Sequence, residues 1–411
     1  MLKAMKYRIY PTKAQKTLIE KHFGSTRFVY NYFLDYRQKE YAKGNKKVGY
    51  MITQKELTKL KKQEDYQWLN ECGSQSLQMA LRNLDSAFTR FFKKQGGYPK
   101  YKSKKNTHQS FTVPQNIKIA NNRVYLPKFT KDGIKLKYHR EIPKNSTIKQ
   151  ATISRHNNQY FVSIVVDDNM PISKPIKAKN AIGLDMGLTH QVITSDGVKY
   201  PNPRYCRKSQ RKLLKLQRRL SKKQKGSNNR EKAKLRVQKL HTKVTNQRND
   251  YLHKISNEIT NRYDIICVET LNVKGMFTNH RLAKSIADVA WSEFIRQLEY
   301  KSLWKGKTFI KIDKWFPSSQ ICSICGANTG KKHLNVRKFD CPYCETKNID
   351  RDINAAINIR NYGIGQLDNR NTVGTVGIQA CGVSSDGVTM PCIVTSYDIM
   401  KQEAQSSLAV G

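Results

Sequence analysis

Four cysteines stand as two pairs, Cys322-Ser-Ile-Cys325 and Cys341-Pro-Tyr-Cys344, with fifteen residues between the pairs. That spacing lets four thiolates close a tetrahedron around one ion, so the sequence predicts one structural Zn²⁺ in a ribbon at 318–349. Buried thiols or disulfides are the ordinary alternative, but short pairs bracketed by Pro, Gly and charged residues do not read as core packing. Cys72, Cys206, Cys267, Cys381 and Cys392 have no ligand spacing and are expected to act as small apolar side chains. Acidic motifs stand before and after the ribbon: Cys267-Val-Glu269 and Asp350-Arg-Asp352. Far upstream, Ala181-Ile-Gly-Leu-Asp185 places a third carboxylate at the end of a short apolar run. Separated carboxylates are the sparse oxygen cage that hard Mg²⁺ accepts. Two such ions, about 3.5–4 Å apart, can serve the attacking water and the leaving alkoxide of phosphodiester hydrolysis. Each acid also has an ordinary role available: Asp185 as a turn cap, Glu269 as the partner of a lysine, Asp352 as a helix N-cap. The catalytic reading therefore depends on whether the fold brings Asp185, Glu269 and Asp352 together.

The order of elements predicts that it does. Apolar runs at 181–185, 190–194 and 198–200, with a turn at Ser195-Asp-Gly197, read as an antiparallel meander. A basic helical region follows over 204–262, interrupted by a turn at 223–229. Next come a strand at 263–269, a helix over 282–304, a strand at 308–313, the ribbon and a helix over 352–362. Meander, crossover, strand, helix, strand, helix is the order of the RNase H-like fold. There the first strand and the strand after the long crossover lie side by side and parallel. Asp185 and Glu269 would then be neighbours, with Asp352 entering from a helix above them.

The N-terminal half reads differently. Residues 2–10 alternate Met5, Tyr7 and Ile9 with Lys6 and Arg8, a strand stopped by Pro11. Thr12 is the N-cap of a helix running through Gln38, and further helices are expected over 52–63 and 74–94. The Gly/Pro stretch at 96–105 interleaves Tyr98 with Lys100 and Lys102, which suits phosphates and stacked bases, though a solvated basic loop would look similar. Short alternating strands over 110–166 imply a small barrel, which the first strand could join, making the helices an insertion. A Pro/Lys linker at 172–178 precedes the RNase H-like part. The tail 363–411, rich in Gly, Ser, Asn and Thr, is expected to be disordered.

Charge narrows the partners. With 76 Lys and Arg against 31 Asp and Glu, the formal charge is +45, a field that attracts polyanions. Twenty Lys and Arg against three acids fall within 204–262, an excess that would repel itself unless phosphates neutralise it. No run approaches the roughly 20 apolar residues needed to span a bilayer, so a membrane is not expected as partner. No leader sequence is recognisable, so a reducing, cytoplasmic and nucleoid-associated setting is expected.

These residues together carry a family resemblance. Gly183-Leu-Asp185-Met-Gly187, Glu269-Thr-Leu-Asn-Val-Lys-Gly275-Met, the two cysteine pairs and Arg351-Asp352-Ile-Asn-Ala-Ala-Ile-Asn-Ile resemble TnpB. Tyr7-Arg-Ile-Tyr-Pro-Thr, Gly97-Tyr-Pro-Lys-Tyr-Lys-Ser-Lys and Arg248-Asn-Asp-Tyr-Leu-His-Lys-Ile-Ser add to it, from about residue 5 to about residue 392. TnpB is the transposon-encoded, RNA-guided DNA endonuclease of insertion sequences, related to the type V CRISPR effectors. The resemblance implies an α+β multidomain chain. Its parts would be the first wedge strand at 1–10, a helical recognition lobe at 11–105, a wedge β-barrel at 106–175 and a RuvC-type nuclease at 176–362. It implies a guide RNA from the transposon end, a target DNA duplex bearing a short adjacent motif, and a catalytic triad at Asp185, Glu269 and Asp352. A monomer with one RNA is expected. On the helix at 74–94, Gln75 or Gln78 would read the motif, since Gln can pair bidentately with adenine. Two departures from the family pattern are Thr270, where an acid often follows the glutamate, and Glu345, where Gly commonly follows the last cysteine. Two other functions use the same fold. One is a nuclease-inactive, RNA-guided regulator, against which all three acids speak. The other is a strand-transfer transposase, for which no separate end-binding helix-turn-helix is visible.

Overall fold

The computed structural model describes residues 1–106, 108–169, 180–333 and 335–372. The chain forms two compact units, Met1–Pro171 and Ile172–Gly411. The expected linker at 172–178 and the cysteines Cys381 and Cys392 lie outside the described residues, as does the tail beyond 372.

In the first unit, strand β1 (Leu2–Tyr10) is followed by helices α1 (Lys13–Ala42) and α2 (Tyr50–Leu60), a 3-10 segment (Glu64–Glu71) and α3 (Ser74–Phe92). Six strands complete it: β2 (His108–Val113), β3 (Lys118–Ala120), β4 (Arg123–Tyr125), β5 (Ile134–Leu136), β6 (Thr147–His156) and β7 (Gln159–Asp167). The alternation of β1 buries Met5, Tyr7 and Ile9 and leaves Lys6 and Arg8 outside. Thr12 starts α1 through a reciprocal capping box with Gln15. The sheet runs β2-β6-β7-β1-β5-β4-β3, with β1 antiparallel to both β7 and β5. The first strand therefore sits mid-sheet and the helices are an insertion between it and the later strands. One apolar core, including Tyr7, Phe111, Ile153 and Ile164, is shared by most of these strands. Among the described residues no ladder joins β2 to β3, so the expected barrel is open along that seam. The strands β3, β4 and β5 are three residues each, too short to carry closure.

The second unit opens with β8 (Ala181–Asp185), β9 (His190–Thr194) and β10 (Lys199–Pro201), then the basic helices α4 (Tyr205–Ser221) and α5 (Asn228–Arg262). There follow β11 (Ile265–Val268), α6 (Val273–Met276), α7 (His280–Val289), α8 (Trp291–Trp304), β12 (Thr308–Lys311), the short β13 (Lys338–Phe339) and β14 (Ile349–Asp350), and α9 (Arg351–Thr372). The main sheet is ordered β10-β9-β8-β11-β12, with β11 parallel to both β8 and β12 and the meander antiparallel. This is the RNase H-like arrangement expected from the order of elements.

Two expectations are corrected here. The helix predicted over 282–304 breaks at Ala290, which takes the left-handed conformation at φ 55° and ψ 51° and ends α7 while starting α8. Neither Gly nor Pro marks the break. Side chains from other elements take up the carbonyls that a continuous helix would use: Gln191 Nε2 donates to Val289 O at 3.1 Å and Arg248 to Ala287 O at 2.7 Å. The second correction concerns residues 363–372, expected to be disordered, which extend α9 to Thr372. Leu367 continues the apolar face of Ile359 and packs with the cluster of Ile265, Cys267, Ile310 and Ile312.

Candidate active site and zinc centre

The register of the parallel pair sets the site. Leu184 lies opposite Val268, so the next residues on each strand, Asp185 and Glu269, leave the sheet at the same edge. The backbone N–H of Met186 donates to Glu269 Oε1 at 3.3 Å, tying the two strand ends together. Asp352 stands in the first turn of α9, which packs across β8, β9 and β11. The crossing is close because β8 carries Gly183 where the helix passes. A Cβ built there would lie 1.9 Å from Ala356 O and 2.7 Å from Arg360 N. Gly363 makes a second close approach, its added Cβ falling 2.4 Å from Cys267 Sγ. Helix α9 is thus seated on bare backbone, and its N-terminal carboxylate is delivered to the strand ends.

The electrostatics record the result. The Asp185 carboxyl is pushed well above the ordinary range by burial, then by the neighbouring charges of Glu269 and Asp352. Burial also raises Glu269, to about 7, against the opposing hydrogen bond from Met186. Like charges gathered at one place resist ionisation even with Arg351 and Arg337 nearby, and a divalent ion would neutralise them. The oxygen donors of three half-buried carboxylates, with Asp185 feeling the charges of the other two, fit Mg²⁺. Arg337 Nη1 lies 3.5 Å from Asp352 Oδ2, a cation at the rim of the cluster. Thr270, following the glutamate, donates its hydroxyl to Ile312 O at 2.6 Å and so pins the chain leaving β11 to the chain leaving β12.

The four cysteines close more tightly. The Sγ atoms of Cys322, Cys325, Cys341 and Cys344 all lie within 4.8 Å of one another, the one such tight set among the described residues. Cys322 and Cys344 are 3.8 Å apart and Cys325 and Cys341 3.7 Å. A tetrahedron with Zn–S bonds of about 2.3 Å has an edge of about 3.8 Å, so the donor set fits Zn²⁺. The two knuckles repeat one design. Cys322 N donates to Ala327 O and Cys341 N to Thr346 O, both at 2.9 Å, across residues at positive φ: Gly326 at 75° and Glu345 at 56°. Glu345 holds a conformation that glycine adopts without strain. Thr346, its hydroxyl 3.3 Å from the sulfur, favours the Cys344 thiolate.

Residues 351, 354 and 358 join ribbon and helix, a role the sequence reading missed. Asn354 accepts from Ser323 N at 2.8 Å and donates to Ile321 O at 2.7 Å. Asn358 donates to Ser318 O and Ile321 O at 2.8 and 2.7 Å. Both are buried, and Arg351 N donates to Arg337 O at 2.9 Å on the other side of the ribbon. The first knuckle therefore clamps the same helix that carries Asp352. Two buried asparagines at i and i+4 in an Ala/Ile helix were the available signal.

The remaining candidates lie in the first unit. Gln75 and Gln78 are half-buried in the first turns of α3, whose other face buries Leu77, Leu81 and Leu84. Tyr98 is exposed but packs edge-on to Phe88 and Phe91 and accepts from Gln38 Nε2 at 3.4 Å. Lys102 sits with Nζ 4.0 Å from the Tyr30 ring, its backbone held by Asn31 from both sides. Lys100 is exposed. Of the other cysteines, Cys72 and Cys267 are buried, as expected, while Cys206 is half-buried. No helix among the described residues is long and apolar enough to cross a membrane.

Comparison with known proteins agrees with this architecture. Residues 161–280 match the family described as "Probable transposase", 291–359 the "Cas12f1-like, TNB domain" and 1–46 a "Helix-turn-helix domain". The last label does not describe this chain, because its residues 1–46 form β1 and the unbroken α1. A "Putative RNA-guided DNA endonuclease" of Streptomyces pristinaespiralis is 37% identical over 88% of this chain and 89% of its own. The "Putative RNA-guided DNA endonuclease InsQ" of Escherichia coli is 31% identical over 87% of this chain and 91% of its own. A "TnpB-like protein" of Acanthamoeba polyphaga mimivirus is 23% identical over 87% and 73%. The solved "Cas12f1-sgRNA-target DNA complex" shares the fold, with a TM-score of 0.50 at 15% identity over 84% of this chain and 81% of that one. With relatives this similar along most of their length, the chain belongs to the TnpB family.

Proposed function

We propose that the protein is an RNA-guided endonuclease that cuts double-stranded DNA beside a short duplex motif by Mg²⁺-dependent phosphodiester hydrolysis. The observation that carries this reading is the meeting of Asp185 and Glu269 at one edge of a parallel strand pair, under the helix that presents Asp352. The relatives named as RNA-guided DNA endonucleases support the guide, and the net charge of +45 supports binding of both RNA and DNA. Asp185, Glu269 and Asp352 would hold two Mg²⁺ ions. The metal would supply a nucleophile from bound water and stabilise the leaving oxygen.

The chain's own part is positional. Met186 N–H fixes the Glu269 carboxylate, and Gly183 allows α9 to approach. Asn354 and Asn358 hold the zinc knuckle against that helix. The guide RNA from the transposon end would specify the target, with Gln75 or Gln78 at the start of α3 reading the adjacent motif. Lys100 in the Gly/Pro stretch at 96–105 and the helices α4 and α5 would contact phosphates.

Purified with co-expressed RNA, the protein should linearise a plasmid bearing the guide-matched site in Mg²⁺ and leave a mismatched plasmid intact. Binding without cutting would make it a regulator. Joined DNA products would make it a strand transferase.

A further inference from the structure

Helix α1 carries one glycine, Gly24, in the middle of thirty residues. Glycine weakens a helix interior more than any residue except proline, so its place there calls for a reason. Gly183 and Gly363 have one, since backbone or a cysteine fills the space in front of them, whereas Gly365 in α9 faces open space as Gly24 does. In front of Gly24 nothing does, since an added Cβ would meet no atom within 4 Å. The space opens into a trough of two lobes, each about 450 Å³, which share Gly24, Arg27 and Phe28. That volume lies in the range of small-ligand sites. One lobe runs along α1 to Tyr32, Asp35 and Tyr101, the other to Trp68 and to Lys21, which is ion-paired with Glu71 at 2.6 Å. Trp68 and Tyr101 are 42% and 55% exposed, and Phe28 meets Trp68 edge-on at 5.2 Å. Large rings, two of them well exposed, around a floor stripped of its side chain and beside a guanidinium, fit a flat π-system attached to an anion.

We propose that the trough over Gly24 receives one unstacked nucleotide of the bound nucleic acid, its base against Phe28 and Trp68 and its phosphate toward Arg27. The inference rests on the nucleic-acid partners proposed above and adds a site to them. Aromatic faces bind any base, so the trough would hold a nucleotide without reading its identity. The missing Cβ is what lets the sugar or base edge reach the helix backbone.

Photocrosslinking tests this on the intact guide-loaded protein. One preparation carries 4-thiouridine in its RNA, and a second is bound to target DNA carrying 4-thiothymidine. A crosslink to the peptide containing Phe28 or to that containing Trp68 is expected in one arm, and the arm identifies the strand. Crosslinks confined to other peptides in both arms would overturn the proposal. Gly24→Leu should melt no lower than wild type and bind the crosslinking strand at least tenfold more weakly. Gly24→Ala should melt higher and bind with a smaller loss. A lowered melting temperature in both variants would show that the space is filled, and unchanged affinity in both would show that it is unused; either result refutes the site. Plasmid cleavage by the wild-type preparation reports on the endonuclease separately, because the trough can be occupied whether or not DNA is cut.

Discussion

Gly183→Ala should cripple cleavage although it adds one methyl group two residues from a catalytic candidate. The new Cβ would stand 1.9 Å from Ala356 O, where ordinary contact begins at 3.4 Å, so the helix must retreat by about 1.5 Å. The obstacle is backbone, which cannot rotate aside as a side chain can. Gly183 itself is pinned from behind, its carbonyl accepting from Ser195 N at 2.9 Å and its N–H donating to Ser195 Oγ at 3.2 Å. Helix α9 must therefore move, carrying Asp352 one turn away from the clash. Overpacking of this kind costs about 1–3 kcal/mol of stability. Displacing a carboxylate proposed to hold the metal by about 1 Å is expected to slow chemistry by about a hundredfold. Denaturant titration and single-turnover cleavage by the guide-loaded protein measure the two effects. Gly187→Ala is the control, because its Cβ would meet His190 O at 3.1 Å, a far milder contact. Wild-type stability together with wild-type cleavage in Gly183→Ala would refute the close seating of α9.

Other outcomes follow from the same geometry. Cys322→Ser should lower zinc to near zero by elemental analysis. It should also weaken Mn²⁺ binding measured by calorimetry, because the first knuckle clamps α9; one zinc per chain would contradict the ribbon. Glu345→Gly should stabilise the zinc-loaded ribbon by about 1 kcal/mol, the left-handed strain relieved less the added entropy of glycine, as read from thermal melts. Glu269 titrates near 7 in the fold against an ordinary value of 4.5, so its contribution to the metal-free fold is full below about pH 4.5 and lost as pH rises through about 7. Since Mn²⁺ requires the ionised form, its stabilising effect should be larger at pH 8 than at pH 6, and a pH-independent shift would place the ion elsewhere. Affinity for nucleic acid should fall steeply with salt through counterion release, and a flat response would remove α4 and α5 as phosphate tracks.

What the sequence disclosed, and what it withheld, divides along the range of the forces involved. Short-range patterns were legible. Alternation gave β1, Thr12 gave the start of α1, and cysteine spacing gave the sulfur tetrahedron. The meeting of Asp185 and Glu269 was also readable, because a parallel pair in this order of elements leaves few registers open. The break at Ala290 was not, since an alanine in the left-handed region has no local cause and depends on Gln191 and Arg248 drawing carbonyls out of the ladder. The last turns of α9 were hidden by a polar, glycine-rich composition. Only the packing of Gly363 on Cys267, and of Leu367 on the cluster around it, explains them. The placement of Lys102, with its ammonium over Tyr30, has no local pattern to announce it.

Manganese anomalous scattering from crystals of the guide-loaded, target-bound protein tests the proposed metal site most directly. Peaks within bonding distance of Asp185, Glu269 and Asp352 oxygens, beside a phosphodiester, are predicted. Ordered carboxylates about a nanometre apart with no peak between them would contradict it.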